Sequence, residues 1–193
     1  MTTIYDALLN NVRSVVSLSP EEESAMKDSF VFKKVTRKEQ LLSEGEVCNS
    51  IWFIYQGYFR LYYNTDGNEN TFQFFSPNSW YTDYNSLLSS APTIENLQAL
   101  KSGEVLVIDK NNLNLLYQNY AGIEKLGRIM AERAFLSVYN LNKMRSNEEI
   151  EQRYLNLIKT RPDIIENIPQ HYIASYLGVK PESLSRIRKR IFK

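Results

Sequence analysis

The spacing of apolar positions changes along the chain, and each change predicts a different kind of structure. Residues 4–29 are predicted to be helical, and Ser19-Pro20-Glu21-Glu22 predicts a helix start, with Ser19 as the N-cap and Glu22 closing a capping box. From Val31 to Asp109, aromatic and β-branched residues follow one another in short runs, typical of strands. The predicted strands are Val31–Val35, Ser50–Tyr55, Tyr58–Tyr63, Asn70–Phe75, Leu97–Lys101 and Val105–Ile108. Turn signals such as Asp66-Gly67 separate these runs, so the segment is predicted to be a small antiparallel barrel or sandwich. Within it, Tyr84–Ser90 is predicted to be a short helix.

After Lys110 the pattern becomes helical. Asn111–Asn119 is predicted to be a short helix and Gly122–Arg145 one long helix without internal proline. One apolar stripe of the long helix is predicted to form a dimer seam: Leu126, Met130, Ser137, Leu141 and Met144. A second stripe runs through Ile129, Phe135, Val138 and Tyr139. The alternative interpretation is that both stripes pack in the core of a single chain.

Ser146-Asn147-Glu148-Glu149 predicts a new helix, with an N-cap and two acidic residues in its first turn. This helix is expected to end near Lys159, before Arg161-Pro162. The break between Met144 and Asn147 is therefore the predicted hinge and domain boundary.

The last segment has the pattern of two short helices joined by a tight turn. Gln170–Leu177 is predicted to be the first helix, Gly178 can adopt the positive φ that ends it sharply, and Pro181 fits the first turn of the second helix. The second helix buries one apolar stripe and presents a polar, basic face. This is the pattern of a helix-turn-helix unit that places its second helix in the major groove of DNA. An amphipathic helical pair with a merely solvated charged face is the alternative.

Two sets of side chains are predicted to contact DNA. Arg186 can bond a guanine, Glu182 can accept from a cytosine amino group, and Ser183 can reach a base or a phosphate. A second set is predicted to bind phosphates and position the domain: Tyr172, Lys180, Arg188, Lys189 and Arg190.

The distribution of charge supports this prediction. Residues 1–143 carry 13 Lys and Arg against 16 Asp and Glu, whereas residues 144–193 carry 10 against 6. The net charge of +1 therefore conceals a basic C-terminal segment, as expected for a protein that binds a polyanion.

With these elements in place, the chain resembles the cyclic-AMP receptor and fumarate–nitrate regulator (Crp/Fnr) family. The resemblance covers nearly the whole chain and is strongest in the segment IASYLGVKPESLSRI. It implies an α+β protein with an antiparallel β-roll sensor domain (1–120), a long dimerisation helix (121–145) and a helix-turn-helix DNA-binding domain (146–193). It also implies a homodimer on two-fold symmetric double-stranded DNA, with RNA polymerase as a further partner. By this match Glu182, Ser183 and Arg186 are base-reading positions, while Pro181 stands where some members carry a further arginine.

Two features depart from the family pattern. The segment Thr160–Ile168 is short where family members place a β-hairpin wing. The stretch Ser79–Asn96 contains neither glycine nor arginine, although cyclic-nucleotide binders of the family use a Gly-Glu pair and an Arg-Ser or Arg-Thr pair there. A cyclic nucleotide carries a phosphate that needs a cation or a nest of amides, so we expect no cyclic-AMP binding.

The sensor segment is rich in aromatic residues that can line a pocket for an apolar or aromatic effector. The candidate lining residues are Tyr63, Phe72, Phe74, Trp80, Tyr81 and Tyr84. We favour the simpler alternative that these rings fill the barrel core.

Other function classes find less support in the sequence. Cys48 and His171 are the only cysteine and the only histidine, which argues against iron–sulfur, zinc and haem sites; no cofactor or metal is expected. No catalytic motif is recognisable, so an enzyme is not expected. A ligand-binding β-roll and a module that binds only proteins remain alternatives. The N-terminus lacks the pattern of a secretory signal and no segment is apolar enough to span a membrane, so a cytoplasmic protein is expected.

Overall fold

A computed structural model describes residues 3–191 of the chain. The helices are α1 (Ile4–Arg13), α2 (Pro20–Ser29), α3 (Tyr84–Ser89), α4 (Lys110–Asn119), α5 (Ala121–Asn147), α6 (Ile150–Thr160), α7 (Pro162–Asn167), α8 (Gln170–Leu177) and α9 (Pro181–Ile191). The strands are β1 (Val31–Val35), β2 (Gln40–Leu42), β3 (Ser50–Gln56), β4 (Phe59–Thr65), β5 (Asn68–Phe75), β6 (Ser79–Tyr81), β7 (Asn96–Ala99) and β8 (Gly103–Asp109). None of the described helices is both long and apolar enough to cross a membrane.

The eight strands form two antiparallel sheets packed face to face. One sheet has the order β1-β8-β3-β6 and the other β2-β7-β4-β5. The hairpin between β4 and β5 turns at Asp66 and Gly67, whose φ angles of +50° and +77° confirm the tight turn predicted for this dipeptide. The sequence did not predict β2 and β6, which are only three residues long.

Local capping fixes the start of helix α2 and joins it to helix α5. The hydroxyl of Ser19 accepts the Glu22 N–H, and the Glu22 carboxylate accepts the Ser19 N–H, which confirms the predicted capping box. The same carboxylate also accepts the Gly122 N–H at 2.8 Å, so it joins the start of α5 to the start of α2.

Three apolar cores organise the chain. The first lies between helices α1, α2, α4 and α5 and the outer face of the β3-containing sheet. The second lies between the two sheets, and strand β3 serves both: Phe53 points to the helices, whereas Trp52 and Ile54 point to the other sheet. The third belongs to helices α6 to α9 and includes Phe74 and Leu100 of the β-roll. The C-terminal helices therefore pack on the β-roll.

The structure corrects the predicted start of the helix after α5. Ser146 does not start a helix: it lies within α5, its hydroxyl donates to the Asn142 carbonyl, and the chain breaks at Glu148 and Glu149. The helix break thus lies a few residues beyond the one predicted between Met144 and Asn147, because an in-helix bond satisfies the Ser146 hydroxyl. Where the family places a wing, residues 162–167 form helix α7.

Candidate functional site

Helices α8 and α9 form the predicted helix-turn-helix, and Gly178 makes the turn between them. Gly178 has φ +73° and ψ +31°, the left-handed conformation that glycine adopts without steric cost. The Val179 N–H donates to the Ala174 carbonyl at 3.0 Å and closes the helix end. Ala174 is fully buried, so its small side chain allows the two helices to pack closely.

The three residues predicted to read bases lie together on the outer face of α9. Glu182 and Arg186 are exposed and Ser183 is half-buried. The Arg186 guanidinium donates to the Ser183 hydroxyl at 3.2 Å. Leu184, in contrast, points inward and is 1% exposed. The helix therefore has one apolar face held in the core and one polar face open to solvent.

The residues predicted to bind phosphates differ in their exposure and in their contacts within the chain. Lys180 and Lys189 are exposed and Arg188 is half-buried. The Arg190 guanidinium forms an ion pair with Glu151 of helix α6. Tyr172 faces the β-roll, where its ring lies 4.3 Å from the guanidinium carbon of Arg60. In this arrangement Tyr172 packs within the chain.

Most of the residues predicted to form the dimer seam lie on the inner side of α5, whereas Ser137 is exposed at the mouth of a cleft. Leu126 is 6% exposed and belongs to the first core, and Met130 packs against the same core. Ser137, Leu141 and Met144 line a cleft of about 270 Å³ between α5, strand β5 and the C-terminal helices.

Most of the second stripe of α5 is exposed, although Ile129 packs against the first core. Phe135 is 71% exposed, Tyr139 58%, Leu136 55% and Val138 43%. Four large apolar side chains in five consecutive positions form a contiguous apolar surface, which we call the α5 patch. The sequence showed part of it as a stripe, but it did not show which stripe the β-roll covers.

A cavity of about 780 Å³ lies between the β-roll and helix α5. All six rings predicted to line an effector pocket line it: Tyr63, Phe72, Phe74, Trp80, Tyr81 and Tyr84. Two of these rings also make contacts outside the cavity. The Trp80 indole N–H donates to Asn11 at 2.7 Å, whereas the Phe74 ring packs on Tyr176 at a centroid distance of 5.4 Å. The rings therefore surround a space large enough for a small molecule.

Glu95 is a polar residue of this cavity that the sequence analysis did not single out. Its two carboxylate oxygens accept hydrogen bonds from the hydroxyls of Tyr63 at 2.9 Å and Tyr81 at 2.7 Å. Burial raises the pKa of Glu95, and the nearby Asp83 adds to the increase, whereas the tyrosine hydrogen bonds oppose it. An acidic residue directly before the strand Asn96–Ala99 was the available signal.

Asp83 is a second acidic residue at the same cavity. It is 7% exposed, accepts the Ser86 N–H at 3.1 Å as the cap of α3, and accepts the Thr93 hydroxyl at 2.5 Å. The Asp83 carboxylate is therefore held by hydrogen bonds within the chain, and Asp83 and Glu95 place two acidic groups at the cavity.

Comparison with known proteins places the β-roll in a family. Residues 32–120 match the model of the cyclic nucleotide-binding domain. A comparison with curated protein sequences found no match.

Several solved structures share the fold over most of the chain. The c-di-GMP responsive global regulator CLP of Xanthomonas campestris is 13% identical, with a TM-score of 0.68 over 90% of this chain and 91% of that chain. FixK2 of Bradyrhizobium japonicum is 15% identical, with a TM-score of 0.68 over 84% of each chain. The catabolite activator protein of Thermus thermophilus is 19% identical, with a TM-score of 0.54 over 91% of this chain and 84% of that chain.

These matches define the class of the protein. Residues 32–120 form a cyclic nucleotide-binding domain, and they are followed by helices that occur in the same arrangement in regulators. The chain therefore contains a cyclic nucleotide-binding domain and shares the α+β fold of these regulator structures, as the resemblance seen in its sequence predicts.

Proposed function

We propose that this protein is a homodimeric, sequence-specific DNA-binding transcription regulator of the Crp/Fnr type. The observation that supports this function best is the exposed face of α9, which presents Glu182 and Arg186 while Leu184 holds the helix in its core. A helix presented in this way fits the major groove, where carboxylate and guanidinium groups distinguish base pairs. We propose that residues 1–120 form a sensor domain, residues 121–145 a dimerisation helix and residues 146–193 a DNA-binding domain.

Electrostatics support DNA as the partner. The basic residues of the chain are concentrated in residues 144–193, where 10 Lys and Arg stand against 6 Asp and Glu. Lys180 and Lys189 are exposed beside the recognition face. Contacts from such cations to phosphates supply affinity, which falls as salt increases because counterions are released from the DNA.

We infer that the α5 patch joins two copies of the chain. Pairing of these helices would bury the exposed Phe135, Leu136, Val138 and Tyr139. A two-fold dimer would present two recognition helices to half-sites about 34 Å apart, one turn of DNA. RNA polymerase remains a predicted further partner.

We propose that cyclic AMP does not bind in the cavity. Thr93 is already bonded to Asp83, and the stretch Ser79–Asn96 contains neither glycine nor arginine to hold a cyclic phosphate. Calorimetric titration of the protein with cyclic AMP should show no saturable heat, and micromolar saturable binding would contradict this part of the proposal.

A second candidate function for the β-roll is binding of a non-nucleotide, largely apolar effector. The specific observation in its favour is the cavity of about 780 Å³, because six aromatic rings surround space rather than fill it. We propose a regulatory rather than catalytic role for this cavity.

Two substitutions on α9 test base reading directly. Arg186→Ala should weaken binding to the preferred duplex by about 1–3 kcal/mol and relax the preference for one base pair. Lys189→Ala, the matched control on the same helix, should weaken binding to all duplexes about equally and reduce the salt dependence by about one counterion. The measurement is fluorescence anisotropy with matched and singly altered duplexes. Equal loss of preference in both variants would contradict the assignment of Arg186.

A further inference from the structure

Three arginines surround Tyr176 where helix α5, strand β5 and the C-terminal helices meet. Arg153 of α6 and Arg161, which precedes α7, line the cleft of about 270 Å³ together with Tyr176. The guanidinium carbon of Arg145, near the end of α5, lies 5.5 Å from the centre of the Tyr176 ring. Burial raises the pKa of Tyr176, and the positive charges of all three arginines oppose this rise. The cleft therefore lies within a cluster of positive charge.

Carboxylates balance only part of this charge. Within residues 3–191, Arg161 is the one member of the cluster that forms an ion pair, with Asp163 at 3.2 Å. Arg145 and Arg153 donate instead to backbone carbonyls, at 2.7 Å and 2.9 Å. Burial lowers the pKa of Arg145, and the positive charge of Arg153 lowers it further. An anion that enters the cleft is therefore attracted by all three guanidinium groups.

Two of these arginines have N–H groups to offer such an anion. The Nε–H of Arg153 is buried and has no acceptor among the described residues. A buried donor of a charged group that is left without an acceptor costs free energy, which a bound acceptor would recover. Arg161 uses Nε and Nη2 for its bonds to Asp163 and Ser76, and its Nη1 group donates to no residue within 3–191.

The remaining lining limits the kind of ligand that fits. No acidic residue of the described chain lines the cleft, in contrast to the larger cavity at the β-roll, which Asp83 and Glu95 line. The nearby Glu148 carboxylate accepts the Asn156 amide at 2.9 Å and so is bonded to a neutral group. The volume is below the range of about 300–1,000 Å³ that is usual for drug-sized ligands. A small anion therefore suits the cleft better than a nucleotide does.

From this geometry we propose that the cleft binds a small, multiply charged oxyanion, either phosphate or a short dicarboxylate, through Arg153 and Arg161. The planar guanidinium group can donate two parallel hydrogen bonds to such an anion. Arg145 increases the positive potential without lining the cleft. The site adds to the proposed function and does not depend on DNA binding. Because the unfolded chain does not assemble these groups, the bound anion also raises the free energy of unfolding.

The Arg153 Nε–H signal tests the site in the wild-type protein. In ¹⁵N-labelled full-length protein, titration with sodium phosphate at constant ionic strength should shift this signal to a plateau, because the N–H gains an acceptor. Its loss in Arg153→Lys assigns the signal. The Nε–H of Arg60, a buried arginine already bonded to Gln98 at 3.0 Å, should not shift. Sodium succinate in place of phosphate distinguishes the two classes of anion.

Substitutions locate the anion between the two neighbouring spaces. Arg153→Lys keeps the charge but loses the planar fork, and Arg161→Gln removes a charge. Each should lower the affinity for the anion about 10-fold or more in calorimetric titration, as expected for loss of a charge-assisted hydrogen bond. Arg161 also lines the larger cavity, so the matched control is Arg133→Gln, at a position that lines only that cavity. Arg133→Gln should bind the anion as the wild type does.

The outcomes separate this site from the other proposals. An Arg153 signal that neither phosphate nor succinate shifts to a plateau in the wild-type protein would overturn the proposed site, whether or not the variants fold. Weakening by Arg133→Gln as large as that by Arg153→Lys would place the anion in the larger cavity and would also overturn it. Saturable binding that depends on Arg153 in a protein that binds no duplex would support the site and contradict only the proposed DNA-binding function.

Discussion

Glu95 shows how a single residue can define the chemistry of the sensor cavity. Its carboxylate is held between two tyrosine hydroxyls and near Asp83, in a space lined mainly by rings and aliphatic side chains. The aromatic lining could be predicted from the sequence, because ring-rich strands are conspicuous. The role of Glu95 could not, since it depends on strands β4 and β6 bringing Tyr63 and Tyr81 to the same point from different parts of the chain.

The raised pKa of Glu95 makes a pH-dependent contribution to stability. A carboxyl group whose pKa is higher in the folded than in the unfolded chain favours folding at low pH, and this contribution is lost as pH rises through the folded value. Glu95→Gln cannot ionise, so its free energy of unfolding relative to wild type should increase as pH rises from about 4 to about 8. Urea unfolding at a series of pH values measures this difference. A difference that does not vary with pH would contradict the assigned environment, and Glu132→Gln, an exposed residue of α5, is the control.

Among the elements, helix α5 shows that a sequence pattern can predict the position and length of a helix but not which of its faces is buried. Its existence and length follow from helical spacing without proline, and the observed bounds Ala121–Asn147 differ little from the predicted Gly122–Arg145. Its orientation does not follow, because two apolar stripes compete and only packing decides between them. The β-roll covers Leu126 and leaves Phe135 exposed, so the dimer seam predicted through Leu126 remains a prediction while the α5 patch is the accessible apolar surface.

The sequence did not predict the short strands β2 and β6, because a three-residue strand is too short to show an alternating pattern of apolar and polar residues.

A charge placed in the α5 patch tests dimerisation. Phe135→Glu keeps a helix-forming residue but places a carboxylate in the proposed interface, and its symmetry-related copy would double the penalty. We expect sedimentation velocity to show a shift from dimer to monomer and DNA binding to weaken. Leu115→Glu, at a position of α4 that is 54% exposed, should leave the dimer intact. A dimer that is unaffected by Phe135→Glu would place the interface elsewhere.

At the scale of the whole molecule, the β-roll and the helix-turn-helix share a core. Phe74 and Leu100 of the β-roll pack with Tyr154, Ile164 and Leu177 of the C-terminal helices. The order of elements and the family resemblance predicted both parts, and the basic charge of the C-terminal segment predicted the kind of partner. The packing of the C-terminal helices on the β-roll could not be predicted from the sequence. It depends on contacts between residues far apart in the chain, such as Thr71 and Ser175, which are 104 residues apart, and no sequence motif marks such residues.

The central claim is that this molecule binds specific DNA as a two-fold dimer. The most direct measurement selects duplexes from a randomised pool with the purified full-length protein, and follows the selected duplex by fluorescence anisotropy across a salt series without added ligand. We expect enrichment of a two-fold symmetric site with half-site centres about one helical turn apart, and affinity that falls steeply as salt increases. Absence of any enriched site, even at low salt, would contradict specific DNA binding.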